Sequence, residues 1–99
     1  MVIVAMALFP SEQSKEVGKR LGELPPLPTY MTMKGPYLTG ELGSGIKSIA
    51  LFEFDQSKTR EAMDYVSDRY TKYIGISGFT YSVQIWLEAK EALKMIGLG

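Results

Sequence analysis

The first segment of the chain places the strongest constraint on its fold. Val2–Phe9 is a continuous apolar run that ends at Pro10. A run of this length predicts a strand buried on both faces, because a half-buried strand alternates apolar and polar residues. We therefore expect this strand at the centre of a sheet. The run lacks the basic start and cleavage pattern of a signal peptide and is too short to cross a bilayer, so we expect a cytoplasmic protein.

The rest of the chain alternates between helix and strand patterns. The patterns predict a helix that begins near Ser11 as N-cap and ends before Pro25, strands over residues 29–38, 46–54 and 79–87, a second helix over 58–74 and a short helix over 88–96. Pro36 interrupts the second strand, and because proline cannot donate a ladder hydrogen bond, that strand should lie at a sheet edge. Residues 40–45 are predicted to form a hairpin turn, since this glycine-rich stretch precedes a strand and not a helix.

The order of elements is β-α-β-β-α-β with a short C-terminal helix, the pattern of the split βαβ unit. With 99 residues the chain fits a single domain, residues 1–99. The predicted fold class is therefore α+β: a ferredoxin-like sandwich with an antiparallel sheet in the order 4-1-3-2. In this topology the first and third strands are central, and both helices cover the same side of the sheet.

The other side of this sheet is left uncovered in a single copy of the chain. It must carry half of the Val2–Phe9 run, together with either Phe52 and Phe54 or Ile49 and Leu51. An apolar patch of that size is typical of an interface. We expect a homodimer that forms through the uncovered sheet face, because a closed two-fold pair is the commonest assembly.

These features together resemble the dimeric α/β-barrel superfamily: an opening apolar strand that ends at Pro10, a glycine-rich turn at residues 40–45 and a short helix after the last strand. The resemblance covers nearly the whole chain as a pattern and includes no diagnostic motif. It implies two ferredoxin-like subunits packed sheet to sheet. Members of the superfamily include cofactor-free monooxygenases, haem-degrading enzymes and lactone isomerases, which commonly rely on His or Asn. This chain looks closer to the uncharacterised branches, because it has neither residue.

Three absences narrow the chemistry. The sequence contains no cysteine, histidine or asparagine, so candidates for catalysis are limited to carboxylates, Lys, Arg, Tyr, Ser and Thr. Eleven basic residues balance eleven acidic ones, which gives no electrostatic footprint for nucleic acid or an anionic membrane. We expect no metal, no cofactor, and neither nucleic acid nor a membrane as partner.

The weak catalytic candidate is Glu53, which lies between Phe52 and Phe54 in the third strand. One interpretation is that the aromatic surroundings raise the pKa of this carboxyl, so that it serves as a general base. The other is that Glu53 pairs with Lys47 or an arginine. Both interpretations stay open at this point.

Four further side chains are candidates for binding a small molecule: Lys34, Tyr37, Tyr81 and Trp86. The alternative for Lys34 and Tyr37 is an exposed edge strand protected by lysine. The alternative for Trp86 is the rim of the dimer interface, where Trp is enriched. The polar residues of the second helix, Asp64, Asp68, Arg69 and Lys72, are interpreted as its solvated face.

The preferred hypothesis for function is a non-catalytic module that binds a small molecule or has a regulatory role. The alternative is a cofactor-free enzyme, similar to a monooxygenase or isomerase, that acts on a small aromatic or lactone substrate. An enzyme without His, Cys or Asn needs a strongly shifted Glu, Tyr or Lys beside its substrate.

Overall fold

The computed structural model describes residues 1–98 as a four-stranded sheet with three α-helices. The elements in chain order are β1 (Val2–Phe9), α1 (Ser14–Gly22), β2 (Met31–Glu41), β3 (Gly45–Phe54), α2 (Thr59–Thr71), β4 (Thr80–Trp86) and α3 (Ala89–Met95). Short 3-10 turns, Ser11–Gln13 and Gln56–Lys58, lead into α1 and α2. None of the helices within residues 1–98 combines the length and apolar character that a membrane crossing requires.

The sheet is antiparallel, with the strand order β2-β3-β1-β4. This confirms the predicted order 4-1-3-2, read from the opposite edge, and the predicted mixture of helices and antiparallel strands. β1 lies in the interior of the sheet, as its continuous apolar run predicted. Pro36 lies on the edge strand β2. Proline has no backbone N–H to donate, and at an edge this does not interrupt the hydrogen bonds between inner strands.

The edge strand carries an irregularity at Gly35 and Pro36. The register between β2 and β3 shifts between Lys34 and Tyr37, and Gly35 adopts φ of +91°. A Cβ at this position would lie 2.8 Å from the backbone nitrogen of Tyr37. Glycine is therefore required here, both for the positive φ and for the close approach.

One face of the sheet packs against α1 and α2, and we call it the helix face. Its core contains Ile3 from β1, Phe52 from β3, and Ala62 and Val66 from α2, all fully buried. Val17 of α1 packs against the same cluster. The opposite side, the open face, carries the alternate residues of each strand. Its members are Val2, Val4, Met6 and Leu8; Lys47, Ile49, Leu51 and Glu53; Thr32, Lys34, Tyr37 and Thr39; and Thr80, Ser82, Gln84 and Trp86.

The helix boundaries differ from the predicted ones. Ser11 is not a side-chain N-cap; the backbone N–H of Gln13 donates to the Pro10 carbonyl at 3.0 Å instead and forms a 3-10 turn. α2 ends at Thr71, so Ile74 lies outside the helix and is exposed, while Ile76 is buried in its place. Asp55 caps the 3-10 turn that leads into α2, because its carboxylate accepts from the Ser57 N–H at 3.0 Å.

Candidate functional site

A cleft of about 170 Å³ lies between the helix face of the sheet and the two long helices. β1 and β3 form its floor, α1 forms one wall, and α2 with the segment that follows it forms another. The lining residues are Ala7, Phe9, Ser14, Val17, Gly18, Leu21, Met33, Pro36, Leu38, Ile46, Ser48, Ala50, Arg69, Tyr70, Tyr73 and Phe79. An engineered cavity of about 150 Å³ takes up benzene, so this space fits a ligand with one small ring or a short chain.

The cleft exists because four small side chains meet in the middle of the sheet. Ala5 pairs with Ala50, and Ala7 pairs with Ser48, so the floor is low across both central strands. The helix above does not fill the space, because α1 contains no buried residue. Protein interiors are close-packed, so a space of this size beside the core is a distinct feature of this chain.

Aromatic rings make the wall of the cleft firm. Phe79 stacks on Phe9 with ring centroids 5.9 Å apart and on Tyr73 at 4.8 Å. Tyr70 stacks on Tyr81 at 5.5 Å. Stacked pairs of this kind stabilise a structure beyond the effect of their buried area, so contacts within the chain hold this wall of the cleft in place.

Arg69 is the charged side chain of the cleft. It is only 8 % exposed, and it takes part in none of the ion pairs that residues 1–98 form. Its Nη1 donates to the Tyr65 hydroxyl at 3.3 Å, and its Nη2 contacts the Met33 sulfur at 3.7 Å. The guanidinium also lies 6.0 Å from the ring centroid of Phe52. A buried cation without a carboxylate beside it is unusual, because desolvation of a charge is costly.

Two phenols add neutral donors to the cleft. Burial raises the pKa of Tyr70 to about 12, against a smaller opposing effect of Arg69. Burial also raises the pKa of Tyr73. Both phenol hydroxyls therefore keep their protons at neutral pH and well above it. Within residues 1–98, the hydroxyls of Tyr70, Tyr73 and Ser48 form no hydrogen bond. In the same range, every side-chain polar atom that is shielded from solvent has a hydrogen-bond partner. These hydroxyls accordingly face accessible space.

The wall formed by α1 is attached to the rest of the molecule through Arg20. Its Nη1 donates to the Ile74 carbonyl at 2.6 Å and to the Lys72 carbonyl at 3.2 Å, both just beyond α2. Its Nε pairs with Glu16 one turn earlier at 2.9 Å. A polar link between two helix ends thus holds α1 above the cleft.

The structure places most of the sequence-predicted candidates on the open face, away from the cleft. Lys34 and Glu53 form an ion pair there, with Nζ and Oε1 3.2 Å apart and both side chains about half exposed. Tyr37 lies on the same face. This pairing is the second of the two interpretations of Glu53, with Lys34 as its partner instead of Lys47 or an arginine.

Trp86 and Tyr81 are separated from this pair. Trp86 lies on the open face at the opposite edge, two strands from Glu53 and therefore about 10 Å away, and its Nε1 donates to Gln84 at 3.2 Å. Tyr81 lies on the helix face, where it stacks on Tyr70 behind the cleft wall. The five candidates thus do not converge on one site.

The open face has two shallow depressions beside Met6. One is bordered by Leu8, Glu41, Lys47 and Ser82, the other by Tyr37, Thr39 and Ile49. Their volumes, about 380 and 430 Å³, exceed that of the cleft. Both are open to solvent along the sheet, so they enclose no ligand, and the cleft is the better candidate for a small molecule.

Comparisons with known proteins leave the family open. No protein-family model matches the chain, and no curated protein matches it. Among solved structures it is similar to a tripeptidase from Staphylococcus aureus, with 14% identity and a TM-score of 0.43. That alignment covers 99% of this chain and 35% of the tripeptidase chain, so this chain spans about a third of the other's length.

The sequence interpretation missed the residue that gives the cleft its charge. Arg69 was assigned to the solvated face of α2, and this is wrong: it is buried beside Tyr70. A signal was present, since Arg69 follows Ala62 by seven positions and Val66 by three, which places it on the same helical stripe. A separate signal in the sequence indicated the low floor of the cleft. Small residues alternate along the two central strands: Ala5, Ala7, Ser48 and Ala50.

Proposed function

We propose that the chain is a non-catalytic module that binds a small molecule in the cleft between the sheet and α1 and α2. The observation that carries the proposal is a preformed space lined by aromatic and aliphatic side chains with one buried, uncompensated cation, Arg69. Ligand sites have this composition: apolar walls and a few placed polar groups.

The groups in the cleft favour binding over catalysis. Among the described residues, no carboxylate or lysine lines it. Its two phenols are protonated at neutral pH, and burial raises the pKa of each further above neutrality. A general base must lie within hydrogen-bond reach of the proton it removes. Glu53, the candidate base, lies on the opposite face of the sheet in an ion pair with Lys34. The alternative of a cofactor-free monooxygenase or isomerase therefore finds no base among the described residues that line this cleft.

The test uses substitutions that fill the cleft from α1. A Cβ at Gly18 meets no atom within 4 Å, and the same is true at Gly22, which lies on the same helix outside the cleft. Gly18→Leu should occupy the space, whereas Gly22→Leu places the same side chain in solvent. We expect native mass spectrometry to show a bound small molecule on the wild-type protein and on Gly22→Leu but not on Gly18→Leu.

A second measurement, of the unfolding temperature, tests the cleft even when the ligand is lost during purification. Toluene should raise the unfolding temperature of the wild-type protein and of Gly22→Leu, and should leave that of Gly18→Leu unchanged. Wild-type protein that carries no ligand and is not stabilised by toluene would contradict the proposal.

We propose in addition that two copies of the chain, each a ferredoxin-like unit, pair through the open face. The apolar column on this face consists of Val4, Met6 and Leu8 of β1 with Ile49 and Leu51 of β3. Polar residues border it on both edge strands, which is the anatomy of an interface: apolar centre, polar rim. The resemblance to the dimeric α/β-barrel superfamily implies the same sheet-to-sheet arrangement.

The charges and the area of the face both suit a second copy as occupant. Two lysines, Lys34 and Lys47, and two glutamates, Glu41 and Glu53, surround the column, so a two-fold rotation can bring opposite charges together. Four strands of about eight residues cover about 26 by 19 Å. Two copies thus bury at least about 1,000 Å², the size at which specific interfaces begin. The dimer and the cytoplasmic location stay predictions.

A further inference from the structure

We propose that the ligand of the cleft is a small apolar monocarboxylic acid whose carboxylate pairs with Arg69. The inference rests on the proposed function, since it names the chemical class of the molecule held in that cleft. The ligand would have one ring or a short aliphatic chain, with its carboxylate at the end of the cleft where α2 meets β2.

Arg69 has donors to spare. A guanidinium carries five N–H groups in a planar fork, and the structure uses one of them for the Tyr65 hydroxyl at 3.3 Å and one for a weak contact with the Met33 sulfur at 3.7 Å. The Tyr65 hydroxyl in turn lies 3.2 Å from the carbonyls of Pro25 and Pro26. This chain of contacts holds the arginine in place, and it leaves the remaining N–H groups for an acceptor. Bidentate pairing with a carboxylate is the geometry that the fork fits best.

The other polar groups of the cleft point to the same kind of head group. Ser48 can donate a hydrogen bond, and so can Tyr70 and Tyr73, which line the same space. Within residues 1–98, no acidic side chain lines the cleft, so a bound anion meets donors and a cation with no like charge from that range beside it. An amine would meet Arg69 as a like charge instead.

The number of charges distinguishes a carboxylate from a phosphate. Arg69 is the one cationic side chain among the residues that line the cleft. It compensates a single negative charge, whereas a phosphate monoester carries nearly two and would keep one uncompensated in an apolar space. The volume of about 170 Å³ exceeds slightly the roughly 150 Å³ that accommodates benzene. A six-membered ring with a carboxylate therefore matches both the size and the charge.

The experiment compares two probes of nearly the same shape on four proteins. 4-Fluorobenzoate carries the charge and 4-fluorobenzamide does not, and fluorine NMR measures the dissociation constant of each. The proteins are the wild type, Arg69→Met, Arg69→Lys and Arg60→Met. Arg60 lies on the same helix and is exposed, so its replacement removes one positive charge from α2 without touching the cleft.

We expect the wild type and Arg60→Met to bind the benzoate about tenfold to a hundredfold more tightly than the benzamide, as a charged hydrogen bond implies. Arg69→Met should remove this difference, and Arg69→Lys should keep part of it because it keeps the charge but not the fork. Circular dichroism of each variant establishes that it is folded, and the wild-type comparison of the two probes does not depend on any variant.

Two outcomes would overturn the inference in different ways. If the wild type binds both probes equally, or if Arg69→Met weakens both to the same extent, the carboxylate assignment is wrong while the cleft still stands as a binding site. If neither probe binds the wild type at millimolar concentration, and toluene does not stabilise it either, both the assignment and the proposed function fail.

Discussion

Tyr70 lies where the wall of the cleft joins the core, and its phenol links alkaline pH to stability. Burial raises the pKa of Tyr70 to about 12 in the folded chain, from an ordinary value of 10.0. Because the folded pKa is the higher one, the stabilisation is fully present below pH 10 and is lost as the pH rises from about 10 to about 12. We expect tyrosinate absorbance and circular dichroism to change together in that range.

Two single substitutions test this expectation. Tyr70→Phe removes the ionising group and should move the midpoint of alkaline unfolding to higher pH. Tyr37→Phe removes an exposed phenol hydroxyl from the open face and should leave that midpoint where it is. A folded wild-type protein at pH 12, with every tyrosine ionised, would show that the phenol of Tyr70 is not held in a buried environment.

Residue types on the strands were predictable, whereas the space beside them was not. Alternation along β3 places Ser48 and Ala50 on the opposite face of the strand from Lys47 and Ile49, as the structure has them. The sequence does not show a cavity, because the cavity depends on how far α1 lies from the sheet, and this distance is set by contacts between distant residues. Arg69 presented two conflicting signals: its charge suggested solvent, whereas its place on the buried stripe of α2 indicated burial. Its contacts with Met33 and Phe52 show that it is buried.

The helix α1 is the element whose position determines the shape of the cleft, and it has weak attachments. None of its residues is buried, and Arg20 supplies its bonds to the carbonyls of Lys72 and Ile74. Arg20→Ala should therefore lower the free energy of unfolding by about 1 kcal/mol. It should also speed hydrogen exchange of the α1 amides and leave that of the α2 amides nearly unchanged.

Lys19→Ala is the matched control for this prediction. Lys19 is exposed, precedes Arg20 on the same helix and forms no ion pair within the described part of the chain. The substitution Lys19→Ala should leave the hydrogen-exchange rates of the α1 amides at their wild-type values. Equal acceleration in both variants would mean that the opening of α1 does not depend on the Arg20 bonds, since alanine favours the helix at either position.

Element boundaries show which sequence signals are local enough to be reliable. The cap at Asp55 was predictable because donor and acceptor are two residues apart, with the Ser57 hydroxyl and N–H both donating to one carboxylate. The start of α1 was not, because Pro10 begins a 3-10 turn in which a backbone carbonyl takes the place of the Ser11 side chain. The strand order was predictable, since the continuous apolar pattern of β1 requires an inner position.

As a whole molecule the chain is a thin slab, with extents of 48 × 30 × 18 Å. Its radius of gyration of 15.1 Å exceeds the roughly 13 Å of a compact domain of 100 residues. The short dimension reflects two layers, one of helices and one of sheet. A second copy on the open face would add two more layers and cover the column of Val4, Met6 and Leu8. Shape and apolar pattern thus both favour the predicted pair.

The substitution Ile49→Lys tests the pair at the centre of the open face. Ile49 lies between Met6 and Tyr37 across the sheet, and a two-fold pair would bury two of the new lysines without partners. We expect light scattering to give twice the 11.0 kDa chain mass for the wild type and a single chain for the variant. Ile74→Lys, at an exposed position beyond α2, should remain dimeric.

Trp86 gives the same test an optical signal. It is the single tryptophan of the chain, and it lies on the open face with 54% of its surface exposed. Pairing through that face should move it from water to an apolar surrounding, so its emission should shift to shorter wavelength in the wild type and in Ile74→Lys but not in Ile49→Lys. Dilution of the wild type should reverse the shift as the pair dissociates. A dimer that persists in Ile49→Lys, with unchanged Trp86 emission at every concentration, would place the interface elsewhere on the molecule.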